Sequence, residues 1–440
     1  MRTSNSREHV LGLHSAQLVV YNNPARFRVL VAGRRFGKTQ LALIEMFIAA
    51  QKKGATVWYI APSYRQAKAI VWNRLKKITR PYWAKLPTET DLTIHLTFGS
   101  TISLRGADRP DSIRGNGLDF AVLDEFASMH AEVWTEVIRP ALSDRKGRAL
   151  FIGTPKGRNH FFDLYEYAKS KVDPDWAAFQ FTTAQGGIVD LAEIQSAAKQ
   201  LDSQTFLQEY EAQFTGVGQT RVYYPFNRDT HVKPIAFDPM RPLAWTLDFN
   251  VNPMSMLLIQ RVEDMVHVLD EIVLKNSNTT EACKAFLDWL SPEHKRIPAY
   301  QRPLPLRIYG DASGHADRTS ASATDWTLIR HFFSHYKGQI ELSFHVNNVN
   351  PLVRDRVNCV NSRLESYLGD IRVAIHPRCT ELMRDLEKVV WKIEPNGRTG
   401  TEIDKSDPMR THLSDALGYY LAQEFPLRPP AGPNSSGRVV

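Results

Sequence analysis

The 440 residues exceed one ordinary domain, and 43% apolar with 23% charged residues is a globular composition, which excludes a largely disordered chain. Fifty-five Lys and Arg against 47 Asp and Glu give a formal net charge of +8, which suits a polyanionic partner without identifying one. Three widely separated cysteines and the lack of a long apolar stretch exclude a disulfide framework, structural zinc and a membrane helix, so we expect a soluble, intracellular protein.

Short apolar runs alternate with helix-like stretches in the first half of the chain. The runs cover 28–33, 56–62, 101–106, 119–125 and 149–155. Continuous β-rich runs of this length are typical of strands that are covered on both faces of a parallel sheet. Residues 38–54 show helical spacing and end in Lys-Lys-Gly, which predicts a helix. The pattern therefore predicts an α/β domain with a mostly parallel sheet.

The segment between the first run and this helix is typical of a phosphate-binding loop. It reads AGRRFGKT and consists of Ala32, Gly33, Arg34, Arg35, Phe36, Gly37, Lys38 and Thr39. Backbone N–H groups at the helix start can bind phosphate, while Lys38 reaches the β and γ oxygens and Thr39 binds Mg²⁺. Ala32 departs from the usual pattern because it stands in the first glycine position. A surface turn that merely contains Gly-Lys-Thr is the alternative interpretation.

Charged residues on either side complete the predicted ATP site. Arg34 and Arg35 carry fixed charge that can stabilise the γ-phosphate in the transition state, although pairing of each with a nearby carboxylate explains it equally well. The run FAVLDE ends in Asp124 and Glu125. The aspartate can hold Mg²⁺ and the glutamate can orient or deprotonate the attacking water. Together these residues predict hydrolysis of ATP with Mg²⁺ rather than nucleotide binding alone.

The pattern changes in the second half. A polar helical segment around 190–214 leads into the best linker candidate, 215–226. Three strand-like runs with short gaps then form a meander, followed by a helix, a fourth strand and three more helices. These elements are predicted at 242–250, 254–262, 265–274, 280–290, 304–311, 350–367, 378–390 and 411–424.

Three aspartates occupy distinctive positions in this half. Asp248 lies in the first strand of the meander, Asp311 ends the fourth strand, and Asp415 lies in the last helix. An aspartate inside an apolar strand is costly unless it is paired or binds metal. Each aspartate also has an alternative explanation. Asp248 could face solvent at a strand edge, Asp311 could cap the following turn, and Asp415 could lie on a polar helix face. The order strand, strand, C-terminal helix is what an RNase H-like nuclease requires, with two divalent ions, Mg²⁺ or Mn²⁺, activating water and stabilising the leaving oxygen.

Three segments of the chain resemble motifs of a known family. They are AGRRFGKT (32–39), SIRG (112–115) followed by VLDE (122–125), and IGTPKGRNHFFDLYE (152–166). The family is the large terminase subunit of tailed double-stranded DNA bacteriophages, and the resemblance extends over about residues 13–424. In this family the Ala-Gly-Arg form of the loop is usual.

The resemblance implies roles for further residues. Gln17 would contact adenine, and Gly153 with Thr154 would belong to the motif that couples hydrolysis to DNA movement. Arg114 is a candidate arginine finger, with structural pairing to Asp111 or Asp119 as the alternative.

The nuclease residues follow from the same resemblance. Asp248, Asp311 and Asp415 correspond to the metal-binding triad of the family. Asp270 and Glu271 are additional candidate ligands, for which a solvated strand end is the preferred interpretation.

The expected organisation has two domains. Residues 1–216 would form a RecA/ASCE-like P-loop ATPase motor domain with a helical lid at about 185–216. A linker at 217–235 would precede an RNase H-like nuclease domain with a mixed sheet at 236–425, and 426–440 would be a disordered tail.

The expected function is ATP-driven packaging of double-stranded DNA into a procapsid, with cutting of concatemeric DNA at the start and end. The resemblance implies a small terminase subunit, the portal ring of the procapsid and a pentameric ring as partners, in the cytoplasm of the infected host and not in the mature virion. Whether the isolated chain is a monomer stays open.

Two other functions share some of these sequence features. A helicase-like repair translocase with an appended nuclease shares the loop and Asp-Glu pair, but it should contain a second RecA-like domain, which is missing before the meander. A non-enzymatic scaffold with an inactive nuclease is disfavoured because Lys38, Glu125 and the three aspartates are all intact.

Overall fold

The computed structural model describes residues 12–108, 117–157, 159–215, 220–249, 252–295, 303–315, 324–393 and 399–427. The chain divides into two compact units. The first comprises Met1–Ala197 and Gln204–Val217, and the second comprises Ala198–Ser203 and Gly218–Val440. Within the described residues, no helix has the length and apolar character needed to cross a membrane.

The first unit is built around a predominantly parallel sheet. Its strands are β1 Phe27–Ala32, β2 Thr56–Ala61, β3 Thr93–His95, β4 Thr101–Gly106, β5 Phe120–Asp124, β6 Arg148–Gly153 and β7 Trp176–Phe181. The strand order is β3-β4-β2-β5-β6-β1-β7 among the described residues, and only β3 is antiparallel to its neighbour. Strands β1 and β5 are buried at every position, as continuous apolar runs predict.

Helices cover both faces of this sheet. They are α1 Ser15–Tyr21, α2 Lys38–Ala49, α3 Tyr64–Ala67, α4 Asn73–Thr79, α5 Arg139–Ala141, α6 His160–Lys169, α7 Thr183–Gly186, α8 Leu191–Gln200 and α9 Ser203–Glu209. Two apolar cores result, one on each face. Helix α2 ends at Ala49, five residues before the predicted end at Gly54, because residues 51–54, beyond the buried Ala50, are exposed and carry no apolar side chain.

The second unit contains a mixed sheet. Its strands are β8 Leu243–Asp248, β9 Met254–Val262, β10 Met265–Leu274, β11 Leu304–Gly310, β12 Ile340–Phe344 and β13 Val373–Ile375, with a separate hairpin of β14 Trp391–Ile393 and β15 Thr399–Ile403. The order is β12-β11-β8-β9-β10-β13 within the described part. Strands β8, β9 and β10 form the predicted antiparallel meander, while β11 and β12 run parallel to β8.

Helices of the second unit pack on both faces of the mixed sheet. They are α10 Arg228–His231, α11 Thr279–Lys295, α12 Asp325–Phe333, α13 Val353–Leu364, α14 Thr380–Lys388 and α15 His412–Glu424. Helices α13 to α15 contribute to one core and α11 and α12 to the other. The predicted α/β class, with one mostly parallel and one mixed sheet, is thereby confirmed.

The end of helix α8 belongs to the second unit, although it lies inside the range 185–216 that was predicted for the first domain. The backbone N–H of Tyr367 donates to the Leu201 carbonyl at 2.7 Å, and Arg372 donates to the Lys199 carbonyl at 2.7 Å. The predicted domain boundaries otherwise stay a prediction. Most of the predicted tail, residues 428–440, lies outside the described residues.

Candidate functional site

The predicted phosphate loop lies between strand β1 and helix α2, and two of its glycines are required by the geometry. Gly37 has φ +99°, and a side chain there would also approach Gln17 Nε2 to 2.6 Å. A Cβ on Gly33 would lie 2.5 Å from Thr183 Oγ1. The backbone can therefore form this loop only with glycine at both positions.

Lys38 points back into the loop. Its Nζ donates to the carbonyl oxygens of Ala32 at 2.7 Å and Gly33 at 3.0 Å, and to Thr154 Oγ1 at 3.1 Å. Burial lowers the pKa of Lys38, against the opposing charges of Glu125 and Asp124. The ammonium group is thus held at the start of helix α2, where phosphate oxygens would bind.

Asp124 ends strand β5 and is almost fully buried. Burial raises its pKa to about 6, although the Tyr59 hydroxyl donates a hydrogen bond to it. Glu125 follows in the left-handed region, with φ +54°. Because β5, β6 and β1 are parallel neighbours, the loop, Asp124 with Glu125, and Thr154 after β6 meet at one edge of the sheet.

Gln17 and His14 hold the loop from helix α1. Gln17 Nε2 donates to the Gly37 carbonyl at 2.8 Å, and His14 Nε2 donates to the Phe36 carbonyl at 2.9 Å. The Phe36 ring is buried and stacks on Phe181. Gln17 thus stands beside the predicted phosphate loop, and its contact with adenine stays a prediction. His14 was not predicted from the sequence, where its only local signal is its capping position three residues before Gln17.

Arg34 is paired with a carboxylate, one of the two interpretations that the sequence left open. Its guanidinium contacts Glu209 of helix α9, and its backbone N–H donates to the Glu209 carbonyl at 2.7 Å. Arg35 is exposed and has φ +60°. Glu209 carries no sequence signal, because it lies 175 residues from Arg34.

Arg114 and Asp111 fall within residues 109–116, outside the described part of the chain. Asp119, the other partner considered for Arg114, accepts hydrogen bonds from Lys52 and Arg145, both at 2.8 Å.

Two of the three nuclease candidates lie side by side on neighbouring strands. Asp248 is the last residue of β8, and Asp311 directly follows β11. The strands are parallel with Gly310 opposite Leu247, and the Asp311 N–H donates to the Leu247 carbonyl at 3.3 Å. Both carboxylates therefore stand at the same edge of the mixed sheet.

Helix α15 brings the third carboxylate to this edge. Thr246 Oγ1 donates to the Ala416 carbonyl at 2.7 Å, which fixes the first turns of the helix over β8. Asp415, one residue earlier, is buried. Burial raises its pKa to about 6, with Arg356 opposing and Asp248 adding to the shift. Asp248 and Asp415 thus act on each other electrostatically.

Each of the three carboxylates has a protein partner. Asp248 Oδ2 lies 2.9 Å from His412 Nδ1, and Asp415 Oδ1 accepts from Arg356 at 2.6 Å. Asp311 accepts from Asn350 Nδ2 at 2.6 Å, and from the Ser313 backbone in addition. None of these partners was predicted from the sequence.

His412 faces two acceptors. Its Nε2 lies 2.9 Å from the Pro408 carbonyl, which can only accept, so this nitrogen donates. The hydrogen bond with Asp248 raises the pKa of His412.

The donor chemistry suits Mg²⁺ or Mn²⁺, since carboxylate oxygens are hard ligands. Among the described residues, however, no group of three or more His, Cys, Asp or Glu side chains is arranged to hold a metal ion. The structure gathers the acids at one edge without forming a ready-made ligand shell, because each carboxylate is turned to its own protein partner.

Asp270 and Glu271 have structural partners instead of a solvated position. Asp270 accepts from Trp289 at 2.8 Å and Arg378 at 3.1 Å. Glu271 accepts the backbone N–H groups of Glu381 and Leu382, both at 2.8 Å, and so caps helix α14. The expectation of a solvated strand end was wrong for both.

Comparisons with known proteins agree with this architecture. Residues 29–227 match the family model described as terminase large subunit, T4likevirus-type, N-terminal. The large terminase subunit of Escherichia phage T5 is 31% identical over 408 residues, which cover 90% of this chain and 86% of that protein. That of Thermus phage G20c is 36% identical over 187 residues, covering 38% of this chain and 39% of that protein.

A solved structure extends the likeness to the fold of both units. The large terminase of a thermophilic bacteriophage covers 93% of this chain and 98% of its own, with a TM-score of 0.57 and 16% identity. Taken with the near full-length relative from phage T5, these findings show that the chain belongs to the large terminase subunits of bacteriophages.

Proposed function

We propose that this chain hydrolyses ATP to move double-stranded DNA into a procapsid, and that its second unit cuts concatemeric DNA with two divalent ions. The observation that carries the proposal is the meeting of Lys38, Asp124, Glu125 and Thr154 at one sheet edge, in a chain related to a large terminase over almost its whole length.

In the first unit, the proposed reaction is attack of water on the γ-phosphate. The loop N–H groups and Lys38 would bind the phosphates, and Glu125 would orient the water and accept its proton. Thr39 and Asp124 would hold Mg²⁺, which offsets charge on the phosphate oxygens. Arg34 supplies further positive charge once it leaves Glu209.

Thr154 supports a coupling role for the residues after β6. Its hydroxyl accepts a hydrogen bond from Lys38, so a change in the position of Lys38 on phosphate binding reaches the Gly153–Thr154 segment directly. We propose that this contact couples ATP hydrolysis to DNA movement.

In the second unit, Asp248, Asp311 and Asp415 would bind two divalent ions, Mg²⁺ or Mn²⁺. Bound there, the ions supply an activated water and neutralise the leaving 3′ oxygen. The residues of the chain orient this centre: Asn350 fixes Asp311, while His412 lies against Asp248 and can hold a proton next to it.

Family membership supports the proposed partners. They are double-stranded DNA, a small terminase subunit and the portal ring of a procapsid, with a pentameric ring in the assembled motor and the host cytoplasm as the site of action. The formal charge of +8 is compatible with DNA as a partner.

The ATPase part is tested with purified chain and Mg²⁺. Lys38→Ala should lower ATP turnover by about a hundredfold or more, since the transition state loses a buried charge. Lys52→Ala, which removes an exposed lysine of the same unit, should leave turnover near the starting value. Intact turnover in Lys38→Ala would disprove the placement of the phosphate loop.

The nuclease part is tested by nicking of circular DNA with Mn²⁺. Asp311→Ala should abolish nicking, whereas Glu341→Ala, at an exposed acid on strand β12, should not.

A strand-displacement assay separates the motor from a helicase, because a packaging motor moves along duplex DNA without unwinding it. Absence of ATP turnover even with partner proteins would leave a nucleotide-binding scaffold.

A further inference from the structure

We propose that Arg356 is a fixed counter-ion of the nuclease acids, which lowers their affinity for divalent ions in the DNA-free protein and restricts Asp415 to one metal-facing oxygen. The inference rests on the proposed nuclease and adds a residue that determines when this centre takes up metal.

The contact between the two side chains is direct and buried. Arg356 lies on helix α13 and is about 5% exposed. Its Nη2 donates to Asp415 Oδ1 at 2.6 Å, so Oδ2 is the oxygen that remains for a cation. The guanidinium carbon also stands 4.6 Å from the centre of the Tyr419 ring, which adds a cation–π contact.

Helix α15 has a glycine where the Arg356 side chain packs against it. Gly418 lies one turn after Asp415, and a Cβ there would stand 2.5 Å from Arg356 Cγ and 2.8 Å from Cδ. Any side chain at this position would therefore displace the guanidinium stem. The helix carries glycine in its interior, at a cost in helix stability, where the arginine passes.

A buried pair of this kind is not explained by stability alone. Replacing a buried ion pair by apolar residues is often neutral or stabilising, whereas removing one partner leaves an uncompensated charge. Arg356 Nε, moreover, has no hydrogen-bond partner among the described residues. The guanidinium is thus desolvated for its contacts with Asp415 and Tyr419, and the first of these is made with a proposed metal ligand.

The electrostatic consequence follows from the position of this charge. Burial raises the pKa of the Tyr419 hydroxyl, Arg356 opposes this shift, and Asp248, Asp415 and Asp311 all add to it, so the fields of the three acids overlap at the ring that Arg356 covers. A permanent positive charge at this point repels a divalent ion and removes one oxygen from its reach. DNA phosphate restores negative charge, so that metal uptake is favoured when substrate is present.

The experiment measures Mn²⁺ binding to the full chain without nucleotide, from the electron paramagnetic resonance signal of free Mn²⁺. Arg356→Gln removes the charge but keeps a donor for Asp415, and it should bind Mn²⁺ roughly tenfold more tightly. Arg356→Lys keeps the charge and should stay close to the unmodified chain. Arg363→Met is the matched control, because this arginine of the same helix pairs with Asp264 instead.

Asp311→Asn separates failure of this inference from failure of the proposed nuclease. If Asp311→Asn weakens Mn²⁺ binding while Arg356→Gln leaves it unchanged or weaker, the role of Arg356 is disproved and the nuclease stands. If Asp311→Asn has no effect on Mn²⁺ binding, the metal site itself is disproved.

Stability gives a readout that does not depend on activity. In EDTA, Arg356→Gln should shift the unfolding equilibrium by roughly a hundredfold, and adding Asp415→Asn should suppress most of this shift. Should Arg356→Gln be unfolded in EDTA, Mn²⁺ should restore its circular dichroism signal, but not that of the variant that also carries Asp311→Asn. Independent effects of the two substitutions, or no recovery with Mn²⁺, would overturn the inference.

Discussion

Arg28 and Glu45 form a buried ion pair on the two elements that flank the phosphate loop. Arg28 lies on strand β1 and Glu45 on helix α2, and Arg28 also donates to the Val20 carbonyl at 2.8 Å. Burial raises the pKa of Glu45, against the attraction of Arg28. The pair links the strand before the loop to the helix after it. It should therefore help to fix the geometry of the loop as well as stabilise the fold.

Loss of one partner should therefore be costly. Glu45→Ala leaves a buried guanidinium without its carboxylate and should lower the free energy of unfolding by about 3 to 5 kcal/mol. Glu166→Ala, which breaks the exposed pair with Lys169, should change it by less than about 0.5 kcal/mol. Urea unfolding of both variants measures the difference, and similar losses would contradict the role given to the buried pair.

All three cysteines are buried in the second unit, and none is among the residues of the proposed sites. Burial raises the pKa of Cys283 to about 12 and that of Cys359 to about 11, and it also raises the pKa of Cys379. Only the thiolate reacts with alkylating reagents, so we expect these thiols to react slowly in the folded chain.

Alkylation at pH 8.5 should therefore be at least about a hundredfold slower in the folded chain than in guanidinium-unfolded chain, in which thiols have a pKa of about 8.5. Between pH 8 and 10 the unfolded rate should level off while the folded rate continues to rise. Iodoacetamide labelling followed by mass spectrometry measures both rates. Rapid labelling of any folded thiol at pH 8.5 would contradict its burial.

Residues with a local pattern were predictable, and their long-range partners were not. The loop with Lys38 and the strand ending in Asp124 were visible because strand, turn and helix signals are contiguous. Tyr59 contacts Asp124 from 65 positions away, and Glu209 contacts Arg34 of the loop from 175 positions away. Nothing in a single sequence specifies such a pairing.

At the scale of elements, Glu271 joins a strand to a helix. It lies on β10, and its two carboxylate oxygens accept the first free N–H groups of helix α14 from Glu381 and Leu382. A carboxylate at a helix start also interacts favourably with the helix dipole. Helix α14 in turn presents Asp385 to the backbone N–H groups of Leu413 and Ser414 at the start of helix α15, so the orientation of the helix that carries Asp415 depends on this series of caps.

Removal of the Glu271 cap should lower the free energy of unfolding more than removal of an ordinary helix cap. Glu271→Ala leaves two N–H groups without an acceptor and should lower the free energy of unfolding by about 2 kcal/mol. Thr324→Ala removes the neutral cap of helix α12, whose hydroxyl accepts from the Thr327 N–H at 3.2 Å and hydrogen-bonds the Thr327 hydroxyl at 2.8 Å, and should lower the free energy of unfolding by about 1 kcal/mol. Thermal unfolding compares the two, and a smaller loss for Glu271→Ala would exclude it as the cap.

Elements with strong periodicity were predicted and the short or exposed ones were missed. The meander and the last three helices were found from their apolar pattern. Strand β13 has only three residues, and strand β7 is an edge strand whose side chains are mostly half-exposed, so neither carries a clear period. Helix α12 was also not predicted. It follows residues 316–323, a run of small and polar residues without clear periodicity.

At the scale of the whole molecule, the two proposed chemistries fall in different units. The residues proposed to bind nucleotide all lie in Met1–Ala197, and the three nuclease aspartates lie in Gly218–Val440. Each unit has its own sheet with a core on both faces. A ligand of one unit should therefore stabilise mainly the elements of that unit, since binding stabilises the region that forms the site.

Hydrogen exchange of the full chain tests this division directly. ATPγS with Mg²⁺ should slow amide exchange in the loop and helix start, 32–39, and Mn²⁺ without nucleotide should slow it at the start of helix α15, because each ligand binds groups held there. Lys38→Ala should abolish the first effect and leave the second, and Asp311→Asn should do the reverse. Each variant serves as the control for the other, so a substitution that removed both responses would show that the sites are not separable. The reciprocal pattern would place nucleotide and metal in separate units of one chain, as the proposed function requires.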